Sequence, residues 1–392
     1  MTQRIPFRKD IVGSFLRPEA LKEARAALEE GKISAEELRA VEDREIRRLV
    51  EEEKKNGLHD FTDGEFRRAF WHLDFLAALT GCEQVAAKAW SVHFEGKQPK
   101  ATTFRITGKL DFPKNHPFLS HFRFLKSLED EGHVAKMTIP SPSMLHLMTC
   151  VREENPLLPD MYEGKEDVLF DHIIRTYRKA VEAFYDEGCR YLQFDDTSWG
   201  EFCSKEKIDA YRARGLDLEH IKRKYVEVLN AILSAKPKDM TITMHICRGN
   251  FRSTWFSSGG YEPVAEILFG SCHVDGFFLE YDSHRAGDFK PLRFINGQRV
   301  VLGLVTSKTA ALENPEDLKE SGKQRLMYLW KTSASALSAA SLPQRKEISL
   351  RKKNSGPKSA WLLRWRKKYG RTREIKFQIK KQVIPWDDLF FN

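Results

Sequence analysis

The tract Thr241-Ile-Thr-Met-His245-Ile-Cys247-Arg-Gly-Asn250 ends a β-branched run in a His-x-Cys pair, and a second apolar run, Gly276-Phe-Phe-Leu-Glu280, ends in a carboxylate. Alternate residues of an extended strand share a face, so His245 and Cys247 point to the same side of a strand end. Imidazole and thiolate are a donor pair that suits Zn²⁺, and Glu280 makes a third candidate ligand. The chain holds 12 His and 6 Cys. Composition alone then yields roughly 0.2 His-x-Cys pairs by chance, so the pair decides little without its setting. The setting is stronger: both tracts read as buried parallel strands, and an α/β barrel gathers its active-site groups at strand C-terminal ends.

The elements that would position these groups alternate along the chain. Ser34-Ala-Glu-Glu37 predicts a capping box that opens a long charged helix, which runs to about Asn56 and stops at Gly57. Strands are expected at Val134 to Ile139, Arg190 to Phe194, Met240 to His245, Val274 to Leu279 and Val300 to Leu304. Helical patterns separate several of them, notably Val168 to Glu187 and Leu218 to Ala235. This alternation implies a parallel sheet, and the number of units favours an α/β fold of (β/α)₈ TIM-barrel type over a doubly wound sheet. Residues 85 to 115 interrupt it with an alternating segment that reads as an inserted hairpin.

The residues that follow each strand are Asp63 and Glu65, Ser141 and Ser143, Asp195 and Asp196, His245 and Cys247, Glu280, then Gly303. On a barrel they converge on one mouth, with metal ligands at one side and carboxylates at another. The plainer role for the acids is to cap the following helices, Asp196 above all.

Composition sets bounds. The chain is 41% hydrophobic and 11% aromatic, enough for a large core, and no apolar run is long enough to span a membrane. The first residues lack the apolar core of a signal peptide, and the six cysteines have no framework spacing. A cytoplasmic protein with reduced thiols is expected. The net charge is +9, but residues 331–392 hold 16 Lys/Arg against 4 Asp/Glu. The body is therefore mildly acidic, and only the tail has the basic, aromatic-interleaved look of a nucleic-acid arm.

At these positions the sequence resembles the cobalamin-independent methionine synthase family, in particular its short bacterial members that contain only the catalytic C-terminal barrel. The matching motifs are Val12-Gly-Ser-Phe15 with Arg17-Pro18, Asp63-Gly-Glu65, Gln193-Phe-Asp-Asp196, His245-x-Cys247 and Leu279-Glu280, in the family's order. The resemblance implies a methyltransferase of methionine biosynthesis, in which Zn²⁺ binds the homocysteine thiol. That sulfur takes a methyl group from N5 of a methylated folate, and methionine results. It further implies that His245, Cys247 and Glu280 hold the metal. Gly13, Ser14, Glu65 and Asp195 would hold the amino acid, with the carboxylates facing its ammonium and the Gly13-Ser14 turn facing its carboxylate. Structural readings stand beside these: Ser14 as a turn residue, and Glu65 as a surface partner of Arg67 or Arg68. No residue is singled out as proton donor to the leaving amine. Cys272-His273 competes as a ligand pair but precedes its strand, so it is expected on the opposite face.

Two departures bear on function. The extra N-terminal barrel of full-length synthases, which helps to bind polyglutamylated folate, is not in this sequence. Another methyl donor or another thiol acceptor therefore remains open. The family's fourth zinc ligand, from a later Cys-Gly motif, has no counterpart, because no Cys follows Cys272. Joining each codon's third base to the next two lets Ser338 through Ile348 be read as Gln-Cys-Gly-Phe-Ala-Ser-Thr-Glu-Glu-Gly-Asn. A frameshift near residues 318 to 326 is therefore expected. It divides the chain into a barrel, 1–325, and an out-of-frame basic tail, 326–392, with the last strand and helix lost. On this reading little activity is expected of this exact polypeptide, and the tail is an accident of frame, so no nucleic-acid partner is expected. The competing reading, a nonenzymatic body with a nucleic-acid arm, predicts salt-sensitive duplex binding that vanishes on truncation at residue 330.

Overall fold

Local signals and tertiary structure agree at the first long helix. Ser34 accepts a hydrogen bond from the Glu37 N–H, and the Glu37 side chain accepts one from the Ser34 N–H, closing the capping box. At the other end Gly57 takes φ +77°, the left-handed stop that favours glycine. The computed structural model describes residues 5–7, 9–86, 102–250, 253–309 and 314. Its helices are α1 (Glu19–Glu29), α2 (Ala35–Lys55), α3 (Leu73–Leu76), α4 (Pro117–Lys126), α5 (Pro142–His146), α6 (Glu166–Asp186), α7 (Ser198–Glu201), α8 (Lys205–Ala213), α9 (Leu218–Leu233) and α10 (Glu262–Ser271). Its strands are β1 (Asp60–Phe61), β2 (Thr80–Ala86), β3 (Thr102–Asp111), β4 (Val134–Pro140), β5 (Tyr191–Asp196), β6 (Thr241–Ile246), β7 (Gly276–Glu280) and β8 (Arg299–Gly303).

Six strands form one curled parallel sheet in the order β1-β4-β5-β6-β7-β8. Parallel neighbours need crossovers, which α6, α9 and α10 supply between β4, β5, β6 and β7. Their apolar faces cover the sheet, so every residue of β5 is buried. Strands β2 and β3 pair antiparallel in a separate two-stranded sheet. A parallel bridge between Ser14 and Gly64, with the Phe15 N–H donating to the Gly64 carbonyl at 3.2 Å, lays residues 12–15 beside the end of β1. Closure into an eight-strand ring is not seen among the described residues. The predicted tail, 326–392, lies outside them.

The interior under the site is charged. Lys136 Nζ is 2.9 Å from Asp10 Oδ1, with both side chains fully buried, and the Tyr191 hydroxyl donates to Asp10 Oδ2 at 2.8 Å. The ammonium also lies 4.0 Å from the Phe278 ring centre. No helix among the described residues is long and apolar enough to cross a membrane. All six cysteines are free.

Candidate active site

Sheet register places the predicted residues in two rows. Pro140, Asp195, His245 and Phe278 are in register across β4 to β7. Cys247 lies two residues beyond His245, and Glu280 two beyond Phe278, so both fall on the same face one row higher. Asp195, His245, Cys247 and Glu280 thus share one mouth of the sheet.

Each candidate ligand has a partner that bears on metal chemistry. His245 Nδ1 lies 3.2 Å from the Phe278 carbonyl, which fixes the tautomer with the proton on Nδ1 and leaves Nε2 as the donor to a metal. Burial first, then Lys136 and Lys308, holds this imidazole down to about 4, in the neutral form a metal needs. Cys247 Sγ accepts from the Gly249 N–H at 3.3 Å. Burial, followed by the Glu280 charge, pushes its thiol up to about 12. Glu280 is 2.7 Å from an Arg285 nitrogen and 3.5 Å from Lys308 Nζ. Among the described residues, no three His, Cys, Asp or Glu side chains are drawn together as a ready-made metal cage. Glu280 is instead held by two cations. The donor chemistry of nitrogen, sulfur and oxygen at adjacent strand ends, with the imidazole already oriented, nevertheless fits Zn²⁺. Cys272 is fully buried ahead of β7, so the competing Cys272-His273 pair sits at the far end of that strand.

The second half of the mouth comes from the first segment and the β1 loop. Gly13 takes φ +115°, and a Cβ there would meet Thr62 Cγ2 at 2.5 Å; the Thr62 hydroxyl donates to the Gly13 carbonyl at 2.7 Å. The Ser14 hydroxyl lies 3.4 Å from Glu65 Oε2. Glu65 itself is a non-glycine residue at φ +61°, which an L side chain adopts only when its surroundings impose it. Its carboxylate is 3.5 Å from Arg68, whose side chain is 1% exposed. The surface reading of this pair therefore fails, because Arg68 is anchored inside by Thr138, donating to its carbonyl at 2.7 Å and its hydroxyl at 3.0 Å. Arg67 turns away to Glu42 at 2.8 Å. Burial raises both Glu65 and Asp195, and the Glu65 charge adds to the push on Asp195, which reaches about 7. Gln193 donates to Asp195 Oδ1 at 2.7 Å and to the Val12 carbonyl at 3.1 Å. Two buried carboxylates, one close enough to perturb the other's titration, are chemistry that could take up a small cation.

Asp196 does the plainer job. It accepts from the Ser198 and Trp199 N–H groups at 2.6 and 3.2 Å and from the hydroxyls of Ser141 and Ser143, so it ties the loops after β4 and β5 together. Sequence reasoning missed Lys308, which lies five residues beyond Gly303. It also left Arg68 undecided, since nothing in Arg67-Arg68 says which guanidinium turns inward. The turn offers a direct test. Gly64 takes φ +66°, and a Cβ would lie 2.5 Å from Leu49 Cδ2. Gly64→Ala is therefore expected to cost about 2 kcal/mol or more in urea unfolding.

No family profile matches the chain. The uncharacterized Bacillus subtilis protein YxjH is 46% identical over 319 residues, 81% of this chain and 82% of that protein. The structure of a candidate vitamin-B12-independent methionine synthase of Listeria monocytogenes is 40% identical, covers 84% of this chain and 88% of its own, and superposes with a TM-score of 0.66. A methionine synthase of Sulfurisphaera tokodaii is 22% identical over 322 residues, 81% of this chain and 80% of its own. The chain belongs to the cobalamin-independent methionine synthase family.

Proposed function

We propose that this chain transfers a methyl group from a methylated folate to the thiol of homocysteine, giving methionine, at a zinc ion held by His245, Cys247 and Glu280. The observation that carries the reading is the register of β5, β6 and β7, which sets Asp195 beside His245 and the other two donors one row above. A bound zinc would supply a Lewis acid that favours the thiolate form of the substrate at neutral pH. The chain's own residues bind the substrate and orient the metal ligand. Glu65 and Asp195 face the substrate ammonium, and the Gly13-Ser14 turn faces its carboxylate. His245 keeps its proton on Nδ1 through the Phe278 carbonyl.

The same reading makes the sheet part of a (β/α)₈ barrel whose first strand is the segment around Val12 to Phe15. It takes residues from about 326 as out of frame. The matches to YxjH and to the Listeria protein support this, because each covers about the share of the chain that remains when the tail is set aside. Sequencing codons 315 to 330 and assaying methionine formation from homocysteine and methylated folate, in the chain as written and in its frame-corrected form, tests both points. The frame-corrected form is expected to turn over and the chain as written to be at least about tenfold slower, since a lost closing element leaves strand edges open. A metal-free, chelator-insensitive, active frame-corrected protein would overturn the zinc reading.

A further inference from the structure

We propose that Arg17 and Arg25 are positioning residues that hold Glu65 in its left-handed backbone conformation and so set the site's affinity for the amino group of its substrate. This rests on the reading of Glu65 as an ammonium partner.

The loop after β1 takes no part in the sheet's hydrogen bonding beyond Gly64, so turn bonds and side chains share the work of satisfying its backbone. Its carbonyls are covered by guanidinium groups. One Arg17 nitrogen donates to the Glu65 carbonyl at 3.2 Å and to the Arg68 carbonyl at 2.5 Å. Arg25 donates to the Phe66 carbonyl at 2.7 Å and to the Arg68 carbonyl at 3.1 Å. Its N–H groups are covered from the other side. The Thr62 hydroxyl accepts from Gly64 at 3.2 Å, Asp63 from Glu65 at 2.9 Å, and Asp74 from Ala69 and Phe70 at 2.7 and 3.0 Å. Two backbone bonds close the turn, from the Phe66 N–H to the Asp63 carbonyl at 3.1 Å and from the Arg68 N–H to the Glu65 carbonyl at 3.0 Å, and these side chains clamp it from both sides.

The arrangement costs charge. Arg17 and Arg25 converge on one stretch of backbone, and burial, followed by the neighbouring Arg25 charge, lowers Arg17 to about 10. Two like charges aimed at carbonyls are a poor way to gain stability alone. Their geometric product is specific: the residue at φ +61° is the one whose carboxylate meets Ser14 and Arg68 at the mouth. A relaxed Glu65 with φ below zero would swing that carboxylate away.

The test is calorimetric binding of L-homocysteine to the full chain and to Arg17→Ala, Arg25→Ala, Arg17→Lys, Glu65→Gln and the Arg17→Ala/Glu65→Gln double variant. Arg17→Ala is expected to bind about tenfold or more weakly, the size of one charge-assisted hydrogen bond. Arg17→Lys, which keeps a donor, is expected to recover part of that loss. The double variant is expected to bind no more weakly than Glu65→Gln, because the clamp acts through that carboxylate. Unchanged affinity in Glu65→Gln would sink the ammonium reading, and the proposal with it. Weakened Glu65→Gln with unaltered Arg17→Ala and Arg25→Ala, or losses that multiply in the double variant, would sink the clamp alone. If Arg17→Ala does not melt cooperatively, Arg25→Ala and Arg17→Lys carry the same comparison.

Discussion

Cys247→Ala is expected to lower zinc affinity by more than about 100-fold, a loss larger than that of a ligand's supporting partner. The reason lies in the charge of the donor set. Of the three candidate ligands, His245 is neutral, and Glu280 already has Arg285 at 2.7 Å and Lys308 at 3.5 Å. A dication must compete with those two cations for the one carboxylate, so the thiolate is the main negative charge it can gain. Removing it leaves a site that favours Lys308 over metal. The fold should hardly notice, because a buried thiol traded for a methyl group costs on the order of 1 kcal/mol. Zinc content after dialysis against a metal buffer, with the melting temperature as control, reads both effects. Equal zinc in parent and variant would remove Cys247 from the site.

The second large effect is at Asp195, where function and stability should move in opposite directions. In the folded chain burial, aided by Glu65, raises its carboxyl to about 7, against an ordinary value near 3.9 in the unfolded chain. Between those two values the folded state keeps a proton that the unfolded state has lost. Stability therefore falls as pH climbs through that window and is level above it. Asp195→Asn carries no such penalty. Its stability advantage is expected to grow from about pH 4 to pH 7 and to reach on the order of 3 kcal/mol at pH 8. L-homocysteine binding to the same variant should drop by about tenfold or more, as one of two carboxylates facing an ammonium is lost. Parent affinity should rise as pH passes about 7 and Asp195 ionises. Urea unfolding at pH 5 and pH 8, with calorimetry at both, checks the signs; an asparagine variant that is less stable at pH 8 would contradict them.

Much of this site was legible in the sequence, because strand ends announce themselves. An apolar run that stops at a ligand-type side chain marks both the element and its mouth, and β5, β6 and β7 follow the expected segments closely. Period-2 geometry alone puts His245 and Cys247 on one face. Register was not legible. Which residue of β7 stands beside His245 depends on how helices α9 and α10 pack, and no local pattern encodes that. Nor was the fate of Arg67 and Arg68, which diverge to α2 and to β4 because of partners 25 and 70 residues away. The parallel bridge at Ser14 also escaped pattern reading, since an isolated pair of residues carries no period.

The buried bond between Asp10 and Lys136 spans 126 positions, and that from Tyr191 to Asp10 spans 181. During synthesis the segment bearing Gly13 and Ser14 leaves the ribosome before its anchors, which emerge more than a hundred residues after it. It must therefore wait in solvent until β4 and β5 have paired, a long-range closure that topology makes slow. The segment bearing Gly13 and Ser14 is thus among the last parts to dock.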